Sequence, residues 1–190
     1  VPYQGGLSSI EIKKALKSNK IKILFLIEAD DFKIKVKDLK NTFIIYIGHH
    51  GDKYAGISDV VLPTSAFTEK KALFLNLEGR PQFTKKIVEK PGISVDSWKI
   101  FKALDQIFGS KLTFNTHEQL LNNMFKEYPY LGKIDRLYDA KWKHIKDENI
   151  NLLAEENNYI LENFYQTCNI SRASLNMANC VKEILTSYKA

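Results

Sequence analysis

Histidine, cysteine and arginine are scarce in this chain, and only two stretches place any of them where they could do chemistry. The first is Gly48-His49-His50-Gly51-Asp52, directly after the apolar run 43–47. Two imidazoles and a carboxylate are zinc-ligand types. Adjacent His side chains usually diverge, however, and the other two, His117 and His144, lie far along the chain. The stretch is therefore read as a tight, glycine-permitted turn whose imidazoles bond to backbone or to a partner. The second stretch is 76–82, with Glu78 and Arg80 around Gly79. A guanidinium there can grip a phosphate or carboxylate through two N–H groups. The preferred reading is structural: Arg80 pairs with Glu78, Glu69 or Asp59 and holds a loop. If that pair is buried, removing one member costs about 3–5 kcal/mol. Cys168 and Cys180 match no iron–sulfur or zinc spacing and are read as reduced thiols. Gly5-Gly6 lacks the preceding strand and third glycine of a dinucleotide fingerprint, and no phosphate-binding loop or Cys-x-x-Cys is present. No residue is assigned a catalytic, cofactor-binding or metal-ligating role.

The elements around these stretches follow from periodicity. Ser8 and Glu11 form a capping box for a helix over 7–17, with Ile12, Ala15 and Leu16 on one face. Strands are expected at 21–27, 43–47 and 59–62. The last two are apolar on both faces, which predicts neighbouring parallel strands covered on both sides. The stretch 32–40 is undecided between helix and strand, and 74–77 between a short strand and a loop. A helix over 96–108 has Asp96 as N-cap, Gly109 as stop, and Trp98, Phe101, Leu104 and Ile107 toward the core. Thr116 and Gln119 cap a further helix carrying Leu120, Leu121, Met124 and Phe125, stopped by Pro129. Residues 147–158 are polar and read as an exposed helix or loop. Helical spacing returns over 171–185. The fold class is α/β: an open, mostly parallel sheet flanked by helices over 1–109, then a mainly helical or irregular extension over 110–190 used for docking.

At 190 residues the chain is long enough for a real core. No apolar run reaches the ~18 residues of a membrane span. The chain opens with neither a signal peptide nor an initiator Met, which points to processing or to a piece of something longer. Net charge is +6, carried almost wholly by Lys, with Arg only at 80, 136 and 172. The lysines are interleaved with Asp and Glu, which favours a solvated surface over a nucleic-acid or lipid face.

The segment at 58–70, SDVVLPTSAFTEK, and NLEGRPQ at 76–82 resemble the molybdopterin oxidoreductase family. YIGHHGD at 46–52, the run 68–85, PGISVDSWKIFKALDQIFG at 91–109 and NISRASLNMANCVKEI at 169–184 are similar to the largest iron–sulfur subunit of mitochondrial respiratory complex I. The resemblance implies a structural, non-catalytic part of the peripheral arm of an enzyme complex. That complex transfers electrons from NADH to ubiquinone and translocates protons. It implies the matrix side of the mitochondrial inner membrane, with other peripheral-arm subunits as partners. Iron–sulfur clusters are expected on a partner iron–sulfur half and no cofactor on this chain, with no nucleic acid and no membrane span. Two rivals remain: a fragment of an active molybdopterin-dependent oxidoreductase, and a basic module for anionic lipid or nucleic acid.

Overall fold

The three apolar runs become one sheet in the computed structural model, which describes residues 5–29, 32, 34–51, 53–109, 111–137 and 163–185. Strands β1 (Ile23–Ile27), β2 (Phe43–Gly48) and β3 (Val60–Pro63) lie side by side in that order. Both pairings are parallel, as expected, with Ile23 opposite Phe43 and Ile45 opposite Val60. Asp59 pins the start of β3: its carboxylate accepts the Ile44 N–H at 2.7 Å, and its own N–H reaches the Ile44 carbonyl at 3.0 Å.

Alternation along the strands sends Leu24, Leu26, Ile44 and Tyr46 to one face. There they pack with Leu16, Ile34, Leu39 and Tyr54 into the core. Leu16 comes from helix α1 (Ser9–Lys17). The capping box is present: Ser8 Oγ accepts the Glu11 N–H at 3.3 Å, and Glu11 Oε2 accepts the Ser8 N–H at 2.7 Å. Asn19, at φ +55°, turns the chain out of α1 and lets the Lys20 N–H reach the Ala15 carbonyl at 3.0 Å. Asn is among the few side chains that tolerate that conformation. In the described part of the undecided stretch 32–40, an extended Lys35 leads into a 3₁₀ turn, Val36–Leu39, and Ile34 and Leu39 reach the core.

The expectation that both faces are covered needs correction. On the second face Ile47 is fully buried, but Ile23, Ile27 and Phe43 remain about half exposed, and so does Val61 on the first. Parallel crossovers usually carry a helix that covers the sheet. Here the described parts of the two crossovers contain only 3₁₀ turns, Val36–Leu39 and Ala55–Ile57. Helix α2 (Ser97–Phe108) shares a groove with Phe25 of this face but leaves the flanking positions open.

Two short strands sit apart from the sheet. β4 (Leu73–Leu75) pairs antiparallel with β5 (Pro81–Phe83). The second strand is unexpected from sequence because it opens on proline, which a strand tolerates at its first position. In α2, Gly109 ends the helix at φ +65°, as expected. Asp96 stands at the N-cap but makes no side-chain cap; its carboxylate accepts from Ser65 Oγ at 3.0 Å and pairs with Lys90 at 2.8 Å. Trp98, Phe101 and Leu104 line the groove, whereas Ile107 is exposed and Asp105 is buried in its stead. The Asp105 carboxylate accepts the Leu112 N–H at 3.1 Å and pairs with Lys102 at 3.4 Å.

Helix α3 (His117–Glu127) starts at Thr116, whose Oγ1 accepts the Gln119 N–H at 3.2 Å, and stops before Pro129. The single helix expected over 171–185 is broken. Ser174 is extended (φ −82°, ψ 122°) between α4 (Asn169–Ala173) and α5 (Leu175–Cys180), and a π-helical turn, Val181–Leu185, follows. Ser174 then caps α5 through the Met177 N–H, a frequent helix-starting role for serine. The polar stretch 147–158 lies outside the described residues. The fold is α/β, an open parallel sheet with flanking helices and a helical C-terminal region.

Candidate functional site

Open α/β sheets bind ligands at the carboxyl ends of their strands. Here the ends of β2 and β3 open into a cleft of about 410 Å³ whose walls include His49, His50, Thr64, Glu69 and Ser94. The two imidazoles do not diverge as expected. Their Nδ1 atoms are 2.5 Å apart and the rings meet edge-on, with centroids 4.7 Å apart. Each ring therefore spends one nitrogen on the other. Asp52 and His144 lie outside the described residues, and His117 stacks on Trp98. Among the described residues no three His, Cys, Asp or Glu groups gather as a metal-binding cluster.

The other polar groups of the cleft are largely committed to the backbone. Glu69 Oε2 accepts the Ala66 N–H at 2.9 Å, and Thr64 Oγ1 donates to the Val95 carbonyl at 2.9 Å. Ser94 Oγ is buried with no hydrogen-bond partner among the described residues. Beside the cleft, partial burial works against the charge of Asp96, but hydrogen bonds from Lys90 and Ser65 outweigh it. They hold the carboxyl below its ordinary value of 3.8. A depressed acid contributes stability that is present above its unfolded pKa and lost as pH falls through the folded one. Stability should therefore decline as pH falls below about 4, and Asp96→Asn should flatten that decline relative to the parent. Urea titrations from pH 5 downward check it; parallel pH curves for the two proteins would contradict it.

At the β4–β5 turn, Asn76 organises the chain. Its Oδ1 accepts the Arg80 N–H at 2.9 Å, its N–H reaches the Arg80 carbonyl at 3.2 Å, and Gly79 supplies φ +85°. Of the three partners weighed for Arg80, Glu78 is the one found, at 3.5 Å. Asp59 and Glu69 are engaged with backbone N–H groups. Arg80 Nη1 also donates to the Asp135 carbonyl at 3.4 Å, a partner with no signal in the sequence. Gln82 donates to the Asp135 carboxylate at 3.2 Å and so ties the same loop to β5. The pair is not buried: the side chains are 35% and 60% exposed. Exposed pairs contribute about 0–1 kcal/mol. Arg80→Ala is therefore expected to shift the urea midpoint by no more than that; a loss above about 3 kcal/mol would restore the buried-pair reading.

The cysteines are free thiols. Hydrogen bonds from the Ser171 side chain and backbone hold the exposed Cys168 thiol below its usual range, and Cys180 ends α5.

The parallel sheet, with helices beside it and loops gathered at its strand ends, defines an open α/β domain. The chain belongs to the molybdopterin oxidoreductase family, whose model matches residues 1–107. A second family model, that of the C-terminal part of the NADH-ubiquinone oxidoreductase G subunit, matches residues 145–180. The chain is 34% identical, over 94% of its length, to the NADH-ubiquinone oxidoreductase 75 kDa subunit of Reclinomonas americana, covering 25% of that protein. It is 34% identical, over 85% of its length, to the mitochondrial NADH-ubiquinone oxidoreductase 78 kDa subunit of Neurospora crassa, covering 22% of it. For the NADH-quinone oxidoreductase G subunit of Rickettsia conorii the identity is 34% over 94% of this chain and 26% of that protein. The chain thus spans about a quarter of the length of these curated relatives.

The family name implies a molybdopterin, and the cleft does not fit one. A pterin phosphate calls for cationic clamps, but among the described residues no Lys or Arg lines the cleft. Arg80 is engaged at the hairpin, and neither cysteine stands among the cleft residues as a thiolate ligand.

Proposed function

We propose that this chain is a structural part of the peripheral arm of respiratory complex I, which transfers electrons from NADH to ubiquinone and translocates protons. The observation that carries the reading is the 34% identity to the NADH-ubiquinone oxidoreductase 75 kDa subunit across nearly the whole chain. The match of residues 145–180 to a C-terminal NADH-ubiquinone oxidoreductase family model supports it from the other end. The chain packs and docks and carries no cofactor. The iron–sulfur clusters sit on the iron–sulfur half of the family protein, its nearest partner in the arm. The place of work is the matrix side of the mitochondrial inner membrane. Among the described residues no helix is long and apolar enough to cross a membrane, which suits a peripheral position.

Silencing the chain in its own cell tests this. NADH-driven ubiquinone reduction by isolated membranes should fall with the amount of chain, while succinate-driven reduction stays level. Loss of both, or of neither, would overturn the reading.

A further inference from the structure

We draw no further inference here: the strongest candidate, the half-exposed apolar patch of Ile23, Ile27 and Phe43 on the second face of the parallel sheet, carries nothing, because nothing in the structure shows what covers it.

Discussion

Tyr54→Phe is expected to destabilise the chain by about 1–3 kcal/mol although it removes a single oxygen. The Tyr54 ring is fully buried. Its hydroxyl accepts the Ile34 N–H at 2.9 Å and donates to the Phe32 carbonyl. It is the clasp that ties Phe32 and Ile34 to the connection after β2. Phenylalanine fills the same space and leaves the buried Ile34 N–H without that partner. Tyr54→Ala adds a cavity and should cost roughly 3–5 kcal/mol. Urea unfolding measures both through the midpoint at unchanged slope. A Tyr54→Phe protein within about 0.5 kcal/mol of the parent would show that the clasp contributes nothing.

Gly48→Ala is the second large effect. A Cβ at position 48 would stand 2.6 Å from Tyr46 Cε1 and closer still to Cζ and Oη, nearer than atoms approach without one of them moving. Tyr46 cannot move cheaply, because it is fully buried in the core. Overpacking of this kind costs about 1–3 kcal/mol, and more where the neighbour is pinned. Shortening the neighbour should remove the conflict: in a Tyr46→Leu background the added cost of Gly48→Ala should largely vanish. A double-mutant cycle reads the coupling directly. Additive costs would mean that the tyrosine is not what excludes the methyl group.

These two residues show where the sequence speaks and where it is silent. The run 43–47 announces a buried strand, and the parallel pairing follows from it, because strength of apolar character and β-branching are local properties. The role of Gly48 does not follow from them. From sequence it is the start of a turn; in the fold it is still in β2, and its missing side chain makes room for a tyrosine two residues back. Tyr54 likewise reads as one residue in a glycine-containing connection, since its partners are backbone groups about twenty positions away. The helix caps at Ser8 and Thr116 are legible because they act within one turn. The Asp96 carboxylate is misread because a distant serine and lysine compete successfully for it. At the candidate site, the Arg80–Glu78 pair is visible in NLEGRPQ, while Asp135 is more than fifty positions away and leaves no mark there. The open second face is the most instructive miss. A continuous apolar run states that a strand is built for cover on both sides, but it does not say which element provides the cover at each position.

The most direct measurement of the central claim is affinity purification of the tagged chain from its own membranes under mild detergent. The recovered material is assayed for NADH-driven ubiquinone reduction, with subunit stoichiometry from quantitative mass spectrometry. The expected result is a large assembly that performs the reaction, holds this chain in equimolar amount with an iron–sulfur polypeptide of the same family, and carries its clusters there. Recovery of the chain alone, or in an assembly that does not oxidise NADH, would contradict it.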